Sequence, residues 1–295
     1  MTELSKIELI RRLAGPVSKI GDDCAVLAWP GSRQDLLVTT DLFLEDVHFQ
    51  RSTHGPADVG RKALVRGLSD VAAMGGTPRW CFVSLALSVW ADEKWLRGFY
   101  AGLLALARRH GVELAGGDLA RDRRLACDIT VIGVVPRGKA LRRGGAQAGD
   151  AIYVSGLLGG SALGLLSRQG KEWKRHLHPE PRLELGRYLR GKASACMDLS
   201  DGLSIDLHRL CLESRLSAVL DRPLPVFSGA NLDQALHGGE DYELLFTVPA
   251  GRRLPELWRG LPLTRIGTME SGKPGSVEFF GHKLKPLGYD HFRKP

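Results

Sequence analysis

Apolar positions along this chain alternate between two spacings. Leu4, Ile7, Leu9, Ile10 and Leu13 recur every three or four residues, which predicts a short amphipathic helix over 4–13. Two β-like runs follow at 24–28 and 35–40, separated by the turn-forming Trp-Pro-Gly-Ser. Helical spacing returns over 57–74, where Leu64, Leu68 and Val71 mark a buried stripe, Asp70 lies off it, and Gly75-Gly76 ends the helix. Residues 79–88 read as a strand. Asp92 can cap a long helix to His110, which Gly111 closes. Strands at 112–115 and 126–135 complete a first α+β unit.

The apolar period then disappears. Residues 136–149, Pro-Arg-Gly-Lys-Ala-Leu-Arg-Arg-Gly-Gly-Ala-Gln-Ala-Gly, are rich in glycine and cations and read as a boundary. Beyond them come a strand at 150–154, a small-residue loop Ser155-Gly-Leu-Leu-Gly-Gly160 opening a helix to Gln169, and helices at 181–190 and 201–215. Strands at 195–198, 216–220, 242–248 and 277–280 complete a second α+β unit. The expected organisation is an N-terminal domain over 1–136, a basic linker over 137–149 and a C-terminal domain over 150–295.

Composition narrows the class. The 295 residues are 43% hydrophobic and 25% charged, which suits a folded globular chain and not a disordered one. No apolar run approaches the ~20 residues of a membrane span, and the first residues do not resemble a signal peptide, so a cytoplasmic location is expected. Five scattered cysteines without a C-x-x-C pair predict buried thiols. Lys plus Arg number 41 against 33 acids, a formal +8, which suits nucleic acid, an anionic surface or small polyanions.

The chemistry concentrates in acids set beside glycines and hydroxyl residues at the ends of apolar runs. These are Gly21-Asp-Asp23, Thr39-Thr-Asp41, Ser69-Asp70, Gly116-Gly-Asp118, Asp198-Leu-Ser-Asp-Gly202 and Gly238-Gly-Glu-Asp241. Each alone fits a turn or a helix cap, and Asp201 in particular could cap its helix. Together they form an all-oxygen donor set suited to Mg2+ carrying a nucleotide, provided they meet in space. Gly186-Arg-Tyr-Leu-Arg-Gly-Lys-Ala193 falls short of a Walker loop, because Ala193 lacks the hydroxyl that holds Mg2+. His176 and His178 have no local Cys or His partner and are expected at the surface, not on zinc.

Several ordered blocks carry a family resemblance. They are Gly-Asp-Asp-Cys at 21–24, Thr-Thr-Asp at 39–41, Val-His-Phe at 47–49, Leu-Ser-Asp-Val-Ala-Ala-Met-Gly-Gly at 68–76 and Gly-Gly-Asp at 116–118. Met-Asp-Leu-Ser-Asp-Gly at 197–202, Gly-Gly-Glu-Asp-Tyr-Glu-Leu at 238–244 and Gly-Tyr-Asp-His-Phe at 288–292 follow. The chain resembles the thiamine-monophosphate kinases, within the wider aminoimidazole-ribonucleotide-synthetase-like superfamily. It departs from their pattern at Gly76 and Leu119, where Ala and Thr are usual.

The resemblance implies an α+β fold of two domains, the first with a mixed sheet that dimerises. It also implies ATP-dependent phosphorylation of thiamine monophosphate to the diphosphate, with several Mg2+ ions. Carried onto matching positions, Asp23, Thr39, Thr40, Asp41, Asp70, Asp118, Asp198 and Asp201 would hold metal, and Tyr100, Gly117, Asp118, Arg143 and Ser200 would contact ATP. His48, Glu240 and Tyr289 would meet the thiamine phosphate. Asp41, Asp70, Asp118, Asp201 and Arg143 would form the catalytic centre. The implied partners are the two substrates and a second copy of the chain, with neither nucleic acid nor membrane.

That chemistry agrees with the residues. A phosphate monoester has its second pKa near ~6, so the acceptor needs no strong base; the demand is to neutralise two repelling anions. A selenophosphate synthetase would be expected to carry a Cys in a mobile N-terminal loop, and residues 11–21 contain none. A nucleic-acid binder would show a recognition motif and lack the acidic loops.

Overall fold

A computed structural model describes residues 2–292. In chain order the first elements are α1 (Glu3–Ala14), β1 (Ala25–Ala28), β2 (Gln34–Leu44), α2 (Pro56–Ala73), β3 (Thr77–Leu87), α3 (Glu93–His110), β4 (Glu113–Arg121) and β5 (Ala126–Pro136). There follow β6 (Ala151–Ser155), α4 (Gly160–Ser167), α5 (Gly170–Leu177), α6 (Leu183–Leu189), β7 (Ala195–Asp198), α7 (Leu203–Ser214), β8 (Ser217–Leu220) and α8 (Leu232–His237). The chain ends with β9 (Leu244–Val248), β10 (Leu257–Trp258), β11 (Leu261–Glu270), β12 (Val277–Phe279) and β13 (His282–Lys283). The class is α+β with two mixed sheets, as expected.

The long helices begin and end where their sequence allows. Asp92 accepts the Trp95 backbone N–H at the start of α3, and Gly111 leaves it at φ 66°, a left-handed position that glycine takes at no steric cost. On α2, Pro56 occupies the first turn, where its missing N–H has no intrahelical partner anyway. The Asp58 carboxylate reaches back to the Gly55 N–H at 3.1 Å.

Contacts divide the chain into two compact units. One holds residues 26–141 and 163–192 and is built on a sheet of order β1-β2-β5-β3-β4. The β2–β5 and β5–β3 pairs are antiparallel and β3–β4 is parallel. The helix-packed face buries Leu37, Phe43, Val83 and Val131 against Leu64, Leu68 and Val71 of α2. The helices α2 and α3 approach until Gly102 lies where a Cβ would stand 1.9 Å from the Ala57 carbonyl oxygen. Residues 163–192 join this unit through α6, where a Cβ on Gly186 would stand 1.9 Å from the Ala72 carbonyl oxygen.

The other unit holds residues 2–25, 142–162 and 193–292. Its sheet runs β13-β12-β8-β11-β6-β9-β7, with β10 paired to β11. Leu203, Leu207, Leu210 and Cys211 of α7 pack onto Val154, Met197, Leu220 and Leu245.

Some expectations fall. The helix expected to reach Gln169 stops at Ser167, and α5 begins at Gly170; between them Arg168 takes φ 51°. Short α8 and the long β11 carried no clean period: β11 contains Pro262 and slips register between Arg265 and Gly267. His176 was expected at the surface but is buried, its ring stacked on Trp173 and its Nε2 within 3.0 Å of Lys62 Nζ. All five cysteines are buried thiols outside any disulfide, as expected. Among the described residues no helix is long and apolar enough to cross a membrane.

Candidate active site

In the C-terminal-sheet unit the expected residues form two adjoining groups. The first gathers on the end of β7 and the segment before β1. Asp198, the last residue of β7, is 2% exposed. One of its carboxylate oxygens lies within 4.8 Å of one from Asp23. Arg143 Nη2 donates to Asp23 Oδ1 at 2.5 Å, with the Asp23 side chain fully buried. The same residue's backbone N–H donates to Asp22 Oδ1 at 2.7 Å, so both ends of Arg143 are tied to this acidic pair. Burial opposes the Arg143 charge, but Asp23, Asp198 and Asp206 outweigh it and raise its pKa above the ordinary arginine value. Asp23 Oδ2 is buried with no hydrogen-bond partner. An ionised oxygen in that position is costly unless a cation meets it.

The second group is a knot of three backbone segments. The Glu240 N–H donates to Ser200 O at 2.7 Å, the Tyr242 N–H to Leu199 O at 3.0 Å, and the Tyr289 N–H to Asp201 O at 2.9 Å. The segments lie so close that side chains are excluded. A Cβ on Gly239 would sit 2.7 Å from Ser200 O, and one on Gly288 2.4 Å from Asp201 O. Glu240 and Tyr242 adopt left-handed backbone at φ 64° and 51°, a strain that persists only where the surroundings enforce it. Ser200, Asp201, Glu240 and Tyr289 are thereby assembled from three distant stretches. Asp201 does not cap its helix: α7 starts at Leu203 without a side-chain cap, and the carboxylate takes Arg209 Nη1 at 2.5 Å instead.

The N-terminal-sheet unit distributes its expected residues over both faces. Thr39 and Asp41 share the helix-packed face of β2. Thr39 Oγ1 donates to Asp70 Oδ2 of α2, and Arg66 of the same helix reaches Asp41 Oδ1 at 3.2 Å. Thr40 points the other way, its hydroxyl donating to Asp128 Oδ1 at 2.7 Å. Asp118 is in register with Ser84, which is in register with Asp128, so it shares the open face with Thr40. Gly117 stands where a Cβ would meet the Val83 carbonyl oxygen at 1.9 Å, at φ 155°. Tyr100 is half-buried on α3, edge-on to Phe99. Burial raises its hydroxyl pKa first, with the Cys127 and Cys81 thiols adding. His48 Nδ1 accepts the Leu44 N–H at 3.0 Å, which fixes its ring in the loop after β2.

Sequence reasoning missed Asp206, Arg209 and Arg66, and singled out the block that holds Asp22 without giving that residue a role. Asp206 carried a readable signal: a carboxylate among Leu203, Leu207 and Leu210 on a buried helical stripe.

Two family models match the chain. They are the AIR synthase related protein N-terminal domain over residues 21–135 and its C-terminal domain over 147–279. Thiamine-monophosphate kinase of Escherichia coli (strain K12) is 40% identical, covering 94% of this chain and 92% of its own. That of Aquifex aeolicus (strain VF5) is 35% identical over 98% of each. The chain belongs to the thiamine-monophosphate kinase family. It is accordingly an enzyme, a kinase built from two AIR-synthase-related domains. A solved structure described as AaThiL complexed with AMPPCP and TMP superposes with a TM-score of 0.89 at 34% identity, covering 99% of this chain and 97% of the other. Hydrogenase maturation protein HypE, at 22% identity and a TM-score of 0.71, shares the fold alone.

Proposed function

We propose that the protein transfers the γ-phosphoryl group of ATP directly, in line, to the phosphate of thiamine monophosphate, giving thiamine diphosphate and ADP. The observation that carries this reading is the Asp23–Asp198 pair, with Asp23 Oδ2 buried and without a hydrogen-bond partner and with Arg143 paired to Asp23. An all-oxygen set with one orphaned carboxylate oxygen fits a hard divalent cation. Asp23, Thr39, Thr40, Asp41, Asp70, Asp118, Asp198 and Asp201 are the proposed Mg2+ holders. Bound there, the ions supply charge neutralisation between the two phosphate chains.

The remaining work belongs to the chain. Arg143, fixed at both ends by Asp22 and Asp23, presents a permanent cation where charge builds on the transferring group. Tyr100, Gly117, Asp118 and Ser200 are the proposed nucleotide contacts; at Gly117 the absent side chain lets backbone approach backbone. Glu240 offers a carboxylate and Tyr289, 46% exposed, an aromatic face for the thiazolium cation, and His48 is a further proposed contact of the thiamine phosphate. No general base is required, because the acceptor phosphate is largely ionised at neutral pH. The AMPPCP and TMP of the superposed structure support the substrate pair.

The decisive assay is ADP release from Mg-ATP with and without thiamine monophosphate; ADP independent of the acceptor refutes the assignment. Protein-bound label after incubation with γ-labelled ATP alone refutes direct transfer. We also propose a cytoplasmic homodimer that covers the open sheet face, where Leu42 is 53% and Phe82 36% exposed. Sedimentation as a monomer at micromolar concentration refutes the dimer.

A further inference from the structure

Asp206 lies four residues into α7, is completely buried, and belongs to none of the sequence blocks that define the site. Its Oδ2 accepts the backbone N–H groups of Asp201 at 3.1 Å and Gly202 at 3.0 Å. Its Oδ1 accepts from Arg209 Nη1 at 3.1 Å, and that same nitrogen donates to Asp201 Oδ2 at 2.5 Å. One turn of helix therefore grips Asp201 twice, by its backbone and by its carboxylate. The Asp201 carbonyl is taken by Tyr289 and the Ser200 carbonyl by Glu240. Gly202, at φ 116°, completes the turn where a Cβ would lie 2.8 Å from the His237 carbonyl oxygen. Asp201 Oδ1 alone accepts no hydrogen bond among the described residues.

We propose that Asp206 and Arg209 are positioning residues that hold the 200–202 turn so that Asp201 presents Oδ1 to a divalent cation. The inference rests on the phosphoryl-transfer reading above and extends it to two residues outside the proposed substrate contacts. A metal-ligating carboxylate must be oriented as well as present, and partners behind a ligand typically govern metal affinity by ~10–100-fold. Arg209 is suited to this because its planar guanidinium bridges two carboxylates from one nitrogen while the helix holds its stem. The same turn anchors Glu240 and Tyr289 through their backbone N–H groups, so loosening it also disturbs the acceptor side.

The test is Mn2+ binding followed by electron paramagnetic resonance, on the full chain with a non-hydrolysable ATP analogue and without turnover. Arg209→Met is expected to weaken Mn2+ binding ~10–100-fold, and Arg209→Lys to recover part of the loss by restoring one cationic donor. Asp206→Asn keeps the shape but turns an amide donor toward Arg209 or toward the two N–H groups, and is expected to weaken Mn2+ binding too. In steady state, all three variants raise the KM for thiamine monophosphate, whereas a merely structural role would lower the melting temperature and leave Mn2+ affinity unmoved. Should Asp206→Asn fail to fold, the Arg209 pair decides. Mn2+ affinity of Arg209→Met within twofold of the parent, Arg209→Lys falling as far as Arg209→Met, or a parent protein without a Mn2+ site overturns the inference. A parent that binds Mn2+ but ignores thiamine monophosphate refutes the functional reading instead and leaves this one standing.

Discussion

Arg143→Met removes the cation paired with the buried Asp23 side chain while keeping much of the length of the stem. Asp23 then shares its surroundings with Asp198, an oxygen of each within 4.8 Å of the other. At an effective dielectric near ~20, two unit charges at that distance repel by roughly 3.5 kcal/mol. Breaking one side of a buried pair typically costs about 3–5 kcal/mol, because the remaining charge is left uncompensated. That repulsion acts in the parent too, where Arg143 offsets it, so the expected loss is that of the broken pair, about 3–5 kcal/mol in metal-free buffer with chelator. Urea denaturation monitored by tryptophan fluorescence measures it. The double variant Asp23→Asn with Arg143→Met recovers more than half, since the buried Asp23 charge is removed together with its partner. Millimolar Mg2+ stabilises the single variant by binding only the folded state. An Arg143→Met protein within about 1 kcal/mol of the parent in chelator, with no response to Mg2+, refutes the reasoning.

Other consequences are equally direct. Glu240→Gln removes a charge that the thiazolium would meet, and is expected to raise the KM for thiamine monophosphate roughly 10-fold or more while moving that for ATP less; equal shifts for both substrates refute the assignment. The Asp58 carboxyl is held below its ordinary 3.8, chiefly by the hydrogen bond from His178. Its contribution to stability is complete above that ordinary value and fades as pH falls through the lower folded value. The melting-temperature gap between parent and Asp58→Ala is therefore expected to be steady above pH ~5 and to shrink under acid; a constant gap down to pH ~2 refutes it. Burial pushes the Cys81 thiol up to about 11 and Cys127 and Cys211 up to about 12. An alkylating reagent at pH ~8 is expected to label fewer than one of the five thiols in the native protein and all five in denaturant. Rapid native labelling counts against the packed cores.

Much of the architecture was written locally. The α3 helix carries its cap at Asp92 and its stop at Gly111, and both work as the residue types require. Strand β7 falls on the expected residues because Ala-Cys-Met-Asp is buried on both faces. The irregular pieces were not legible: α8 spans six residues, and β11 bends at a register shift that no period announces. His176 went to the interior because α5 lays it beside Lys62 of α2, a neighbour 114 positions away.

The site divides in the same manner. The amino-acid order alone marked the candidate acids, since glycines and hydroxyls surround them at the ends of apolar runs, and it determined the long helices, whose periods and caps act within a few residues. Folding decided their company. It put Asp23 against Arg143 across 120 positions, turned Thr40 and Asp118 to the open face of the sheet, and set Arg209 between Asp201 and Asp206. The physical reason is range: a helix period or a cap is fixed by neighbours along the chain. The energy of a buried charge depends on which distant groups share its low-dielectric surroundings, and only the closed chain supplies those.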